Sequence, residues 1–247
     1  MGKIGCSRNL EKSLLLINTW TALWETLFPR TCPVCGRQLI PCETDLCLIC
    51  ERDLPLTHFW DWRNNPAEQR LTDRIAIDTV CSLFYFDKTG SYPALVHRIK
   101  YQGGRKLGRL MGQRLGKQLL PLAAEKGWTG IVPVPLHWFR QWSRGYNQAE
   151  WIAKGIADML QLPLYPNLLQ RQRYTRTQTQ LDAEARRTNL QNAFRLNPTI
   201  IPATDQHWLL VDDVLTTGAT LEACINALQS VQSVRVSVAT LGFAGDL

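Results

Sequence analysis

Trp208-Leu209-Leu210-Val211-Asp212-Asp213-Val214-Leu215-Thr216-Thr217-Gly218-Ala219-Thr220-Leu221 reads as a strand, a loop and the start of a helix. Its four leading apolar residues suit a strand buried on both faces of a parallel sheet. Two carboxylates follow where that strand reaches its carboxyl end, the end at which open α/β sheets bind ligands. The Thr/Gly-rich turn leads into a helix carrying Leu221, Cys224, Ile225 and Leu228 on one face. Backbone N–H groups and the dipole at a helix start favour a phosphate. The hydroxyls of Thr216, Thr217 and Thr220 add donors, and Gly218 permits close backbone approach. Adjacent carboxylates cannot both face a core, so Asp212 and Asp213 are candidates for sugar hydroxyls or a hydrated Mg2+. The Gly-Lys-Ser/Thr ending of a P-loop and the three spaced glycines of a dinucleotide site are both missing. Two solvated aspartates on an ordinary turn would explain the acids but not the Thr-Thr-Gly-Ala-Thr loop.

Upstream, Gly130 to Pro135 reads as a strand running into a stiffened turn, where an X-Pro bond is a candidate for the cis form. Arg140, Arg144, Tyr146, Asn147 and Gln148 precede an amphipathic helix with Trp151, Ile152, Ile156, Met159 and Leu160; capping is the plainer role for these polar residues. Residues 170–189 form a long polar connection with Arg171, Arg173, Arg176, Arg186 and Arg187. Such a segment is either functional or a solvated surface loop.

Five of eight cysteines fall between Cys32 and Cys50. Cys32-Pro33-Val34-Cys35 and Cys47-Leu48-Ile49-Cys50 are two Cys-x-x-Cys turns, each able to aim both sulfurs at one ion. Together they offer the tetrahedral four-thiolate shell of a structural zinc, with Gly36 suiting the tight first turn. An iron–sulfur cluster, with Cys42 as an alternative ligand, is the rival reading. A redox dithiol would need one such turn in a thioredoxin-like context, which is absent. Cys6, Cys81 and Cys224 read as small apolar residues.

Several motifs now combine. The 208–221 stretch resembles the phosphoribosyl pyrophosphate (PRPP) motif of type I phosphoribosyltransferases. Val132-Pro133-Val134-Pro135-Leu136-His137, Arg144-Gly145-Tyr146-Asn147-Gln148-Ala149, Thr175-Arg176-x-Gln178-Thr179-x-Leu181, Arg186, Asn189 and Ala193-Phe194 resemble the ComF family of competence-associated, phosphoribosyltransferase-like proteins. The start Leu27-Phe28-Pro29-Arg30-x-Cys32-x-x-Cys35-Gly36 matches too, while Gln180 replaces a frequent glycine and Cys42 lies outside the family's zinc quartet. The resemblance covers residues 20–247. It implies a type I phosphoribosyltransferase fold, a twisted parallel sheet flanked by helices, over 75–247. A zinc ribbon over 31–56, bound by Cys32, Cys35, Cys47 and Cys50, precedes it, after an amphipathic helix within 1–30. It implies that Asp212 and Asp213 hold the ribose hydroxyls and that Val214, Leu215, Thr216, Thr217, Gly218, Ala219 and Thr220 form the 5′-phosphate loop. Pro133, Val134, Pro135 and His137 become pyrophosphate-loop candidates, with Arg144, Asn147, Gln148, Arg176 and Gln178 as further ligand contacts and Mg2+ arriving with PRPP. Thr216 stands where several relatives carry a third acid, and a threonine cannot act as base at neutral pH. The implied activity is phosphoribosyl transfer; the alternative is a non-catalytic PRPP sensor or a binder of single-stranded DNA, a competence helicase or a recombination mediator.

The remaining sequence fits an intracellular role. Net charge is +7, from 28 Lys and Arg against 21 Asp and Glu, and seven basic residues with no acid lie between Arg98 and Lys117. That stripe suits either a nucleic-acid backbone, with Tyr92 and Tyr101 for stacking, or a diphosphate. A helix from about Lys106 is expected to bury Leu107, Leu110, Met111 and Leu115 and to project Arg105, Arg109 and Lys117. Leu14 to Phe28 is too polar for a membrane span and lacks a signal-peptide pattern, so a cytoplasmic protein without membrane insertion is expected.

Overall fold

A single antiparallel bridge between Thr31 and Gln38 places the first cysteine pair at a tight turn, and the second pair opens a short helix, α1 (Leu48–Arg52). These lie in the first of two compact units, Met1–Leu54 and Pro55–Leu247. The computed structural model describes residues 29–87, 90, 92–101, 104–136, 145–171, 193–200, 205–231 and 233–245. Outside them lie Cys6, His137, Arg140, Arg144, Arg176, Gln178 and most of the polar connection at 170–189, as does all but the end of the N-terminal helix expected within 1–30.

In the second unit a 3-10 turn (Phe59–Asp61) and α2 (Pro66–Thr72) precede β1 (Val80–Tyr85), α3 (Pro93–Lys100), α4 (Arg105–Lys126), β2 (Gly130–Pro133) and α5 (Gln148–Leu160). Then follow β3 (Leu169–Arg171), β4 (Phe194–Leu196), β5 (His207–Leu215), α6 (Ala219–Leu228) and β6 (Arg235–Phe243). Strands β1, β6, β5 and β2 lie in that order in one parallel sheet, while β3 and β4 form an antiparallel pair. Among the described residues every peptide bond is trans, including those before Pro133 and Pro135. After β2 the chain passes through α5 to Leu164, which bridges Ile131 in parallel; after β5 it passes through α6 to β6 on the other side. The connections leave β2 and β5 in opposite directions, so the adjoining carboxyl ends of these two strands are the switch point of the sheet.

Strand alternation divides the core. Trp208 and Leu210 join a buried cluster with Leu71 of α2, Leu169 and Phe194 of the antiparallel pair, and Leu221, Cys224, Ile225 and Leu228 of α6. Leu209 and Val211 are left to the opposite face, which α5 covers, with α4 packed against α5. That helix pair is drawn close by glycine. A Cβ on Gly112 would stand 2.1 Å from Ile152 O, and one on Gly155 2.0 Å from Arg109 O. Leu107, Met111 and Leu115 are buried as expected, but Leu110 is only half-buried, because Gly108, Gly112 and Gly116 make the contact face instead. Arg109 is exposed as expected, and the same approach supplies it with an acid: its guanidinium donates to both oxygens of Asp158 on α5, at 2.6 and 3.0 Å.

Candidate functional site

The site is built from an element that the motifs do not include. Asn65 starts α2: its side-chain oxygen accepts from Ala67 N at 3.0 Å and Glu68 N at 3.1 Å, and Pro66 takes the first turn, where its missing N–H is tolerated. The Asn65 amide donates to Val80 O at 2.9 Å and Trp62 O at 3.1 Å, tying α2 to the start of β1. So anchored, α2 aims Arg70 at the loop after β5. Arg70 Nη1 donates to Thr216 O at 2.7 Å and to Ala244 O, with the guanidinium 4.3 Å from the Phe243 ring centroid. Just past the helix, Arg74 Nη1 donates to Thr217 O at 3.3 Å.

A trans peptide points its carbonyl and the next N–H in opposite directions. With the carbonyls of Thr216 and Thr217 held by the two arginines, the amides of Thr217 and Gly218 turn away from α2. Gly218 has φ +81°, a conformation that favours glycine, and an added Cβ would come within 2.5 Å of the tip of the Leu71 side chain. It is the N-cap of α6, and no side chain caps that helix. Uncapped N–H groups with the positive end of the helix dipole make an anion-binding position. Asp212 and Val214 to Leu221 line a cavity of about 40 Å³ there, room for a few waters or one tetrahedral oxyanion. Thr216 and Thr217 are exposed and Thr220 is half-buried.

The two carboxylates are sent to opposite faces of β5. Asp213 is buried; its Oδ2 lies 3.1 Å from Lys100 Nζ and accepts from Gln148 Nε2 at 3.1 Å. Asp212 is half-buried on the α6 side, and its Oδ1 accepts from Asp213 N at 2.8 Å. Burial, and then the charge of Asp213, push the Asp212 carboxyl up to about 8, against the Asp213 amide bond and the Lys100 charge. Asn147 caps α5 by accepting from Ala149 N at 3.1 Å, and its amide donates to Val134 O at 3.0 Å. Val134 N donates to Val211 O at 2.9 Å, so Pro133, Val134 and Pro135 end beside the carboxylate strand. Of the sequence candidates, the structure therefore brings Pro133 to Pro135, Asn147, Gln148 and the 212–220 stretch to one end of the sheet. Arg70 and Arg74 were missed, and Lys100 was read only as one cation of the basic stripe, not as a partner of Asp213. A lysine ending a helix and two arginines contacting main-chain oxygens leave no motif behind.

In the first unit the thiols of Cys32, Cys35, Cys47 and Cys50 all lie within 4.8 Å of one another, and Cys42 is not among them. Cys35 Sγ and Cys47 Sγ are 3.7 Å apart, against about 3.8 Å for the edge of a tetrahedron with metal–sulfur bonds of roughly 2.3 Å. The donor set and spacing fit a structural metal such as zinc, with no coordination position left for chemistry. Gly36, with φ +72°, closes the first turn by donating to Cys32 O at 2.9 Å, and Cys50 N donates to Cys47 Sγ at 3.4 Å. Burial opposes ionisation of Cys47, yet bonds from the Cys50 amide and the neighbouring thiols bring it down to about 6. Glu43, unremarked in the sequence, spans the link between the turns: it accepts from Ile40 N at 3.0 Å, Leu48 N at 2.8 Å and Arg37. Burial pushes the Cys81 thiol up to about 12 and Cys224 well above its ordinary value, so both are inert core residues.

No helix among the described residues is long and apolar enough to cross a membrane. No protein-family model matches the chain. It is 37% identical over 147 residues to Competence protein F of Haemophilus influenzae, a match covering 56% of this chain and 61% of that protein, less than two thirds of its length. It is 31% identical over 201 residues to the DNA utilization protein YhgH of Escherichia coli O157:H7, covering 77% of this chain and 80% of that protein. Identity to the DNA utilization protein YhgH of Salmonella typhi is 34% over 138 residues, 55% of this chain and 60% of that protein.

Proposed function

The chain belongs to the ComF family, and we propose that it binds PRPP with Mg2+ and transfers the phosphoribosyl group to an acceptor in the service of DNA uptake or use. The observation that supports this reading is the acidic pair and uncapped loop at the adjoining carboxyl ends of β2 and β5. Asp212 and Asp213 accept from the ribose 2′- and 3′-hydroxyls, the 216–220 loop takes the 5′-phosphate, and Pro133 to Pro135 border the diphosphate, with His137, Arg144, Arg176 and Gln178 as further contacts. Carboxylate and hydroxyl oxygens are donors that Mg2+ accepts, and bound Mg2+ supplies charge neutralisation on the leaving diphosphate. The acceptor's bond to ribose C1 forms as the C1–O bond to diphosphate breaks, and the diphosphate leaves with the electron pair. Thr216 offers no base at neutral pH, so the reading calls for an acceptor whose attacking atom needs no deprotonation by this residue. Zinc on the four cysteines is structural, and reduced thiols suit a cytoplasmic protein.

PRPP at 100 times its Kd stabilises the native state by about 2.7 kcal/mol. A thermal shift with PRPP and Mg2+, together with diphosphate release in the presence of candidate acceptors, tests binding and turnover separately. An equal shift in parent and in the Asp212→Asn/Asp213→Asn variant removes the carboxylates from the site. Stabilisation without release leaves the non-catalytic PRPP sensor.

A second reading has its own support. Tyr101 is 40% exposed, its ring lies 4.7 Å from that of His97, and Arg98 and Arg105, near it in sequence, are exposed. An aromatic ring among cations suits single-stranded DNA, with a competence helicase or recombination mediator as further partner. Tyr101→Ala should weaken such binding, and Arg105→Glu should lower the salt slope by about one unit or less; unchanged binding in both variants removes this surface.

A further inference from the structure

Asp213 is occupied in the free protein. Its Oδ2 meets the Lys100 ammonium at 3.1 Å and the Gln148 amide at 3.1 Å, with the Lys100 and Asp213 side chains only 27% and 10% exposed. Removing either partner of a pair this withdrawn from water leaves the other charge uncompensated. The backbone around Lys100 is fixed: Tyr101 N donates to His97 O at 2.9 Å and the buried Tyr146 hydroxyl donates to Ile99 O. The lysine side chain, a point charge on a flexible four-carbon stem, is the part that can move.

A carboxylate oxygen shared by an ammonium and an amide has little capacity left for sugar hydroxyls. Ribose 5-phosphate brings hydroxyls but nothing at C1 for the displaced ammonium. A ligand with a diphosphate on C1 brings both. From this exchange we infer that Lys100 is a specificity-determining residue, closing the Oδ2 oxygen of Asp213 in the free protein and released by a C1 diphosphate. The inference rests on the PRPP reading of this site and names how it would reject simple sugar phosphates.

The test is titration calorimetry of the full chain with PRPP plus Mg2+ and with ribose 5-phosphate, for the parent, Lys100→Gln and Lys100→Arg. Glutamine keeps a donor for Asp213 and loses the charge. The expected result is at least a tenfold fall in the preference for PRPP over ribose 5-phosphate in Lys100→Gln, largely restored in Lys100→Arg. Equal changes in both affinities, or no change, overturn the role of Lys100 while leaving the site in place; a parent that binds no PRPP overturns the site reading instead. If Lys100→Gln does not fold, the parent alone decides: diphosphate with Mg2+ should tighten ribose 5-phosphate binding at least threefold, and its failure to do so overturns the inference.

Discussion

Arg70 Nη1 donates to the carbonyl of Thr216 at 2.7 Å across 146 residues of sequence. The bond carries a charge and ends on main chain, so it fixes the loop whatever side chain stands at 216. Bonds to charged groups contribute about 1.5–3 kcal/mol. Arg70→Met should release the Thr216 and Ala244 carbonyls, speed amide exchange at Thr217 and Gly218, and weaken PRPP binding by about tenfold or more. Exchange measured by NMR, beside a binding isotherm, checks both; faster exchange with unchanged binding would show that the loop amides do not hold the ligand.

Asp212 gives a pH signature. Its folded carboxyl is pushed up to about 8 from the ordinary 3.8, first by burial and then by Asp213. The folded state holds this proton more tightly than the unfolded chain, so the group's contribution is fullest below about pH 4 and is lost as pH rises toward 8. Asp212→Asn cannot ionise and should melt a few degrees above the parent at pH 8.5, with the gap closing toward pH 5. A gap that stays constant across this range would place the raised ionisation elsewhere.

Metal content tests the four-cysteine cluster. Purified protein should carry one zinc per chain, retained in Cys42→Ser and lost in Cys47→Ser. Chelation should unfold residues 31–54 while leaving the ellipticity of the second unit nearly intact. Retention of zinc by Cys47→Ser would mean a different ligand set.

The α4–α5 contact should discriminate between its glycines. A Cβ at Gly112 or Gly155 would strike main-chain atoms at 2.1 and 2.0 Å, whereas one at Gly108 meets Trp151 Cβ at 3.4 Å. Gly112→Ala and Gly155→Ala should each cost about 1–3 kcal/mol or more. Gly108→Ala should be near neutral, since alanine's helix preference of about 1 kcal/mol offsets a tight contact. Chemical denaturation of the three variants checks the ranking, and equal losses would mean the helices are not packed this closely.

How far the sequence could be read depends on whether an interaction leaves a trace in residue type. Trp208 to Leu221 announced strand, acids and helix start because burial, alternation and turn chemistry all act locally there. The cysteine pairs were readable because one ion imposes the spacing. Arg70, Arg74 and Lys100 were not, since their partners are main-chain oxygens or a carboxylate fixed by distant folding. Glu43 was hidden for the same reason: it bonds to two amides and Arg37, none of which requires a glutamate by pattern. Arg109 projects as the sequence led one to expect, but a basic stripe shows charge and not the acid that a close-packed neighbouring helix delivers.

β1 and β2 are successive strands of the sheet in sequence yet sit at its opposite edges, with β5 and β6 between them. During synthesis, therefore, Val80 to Tyr85 and Gly130 to Pro133 are made long before the strands they pair with. At about 5–20 residues per second, the roughly 160 residues from β1 to the end of β6 take on the order of 8–30 s. For that interval β1 lacks its ladder partner, β2 lacks its own for about half as long, and the sheet closes only when β6 arrives. The nascent chain is thus most exposed to aggregation just before β5 and β6 emerge, and it is in that window that a chaperone would matter most to its yield.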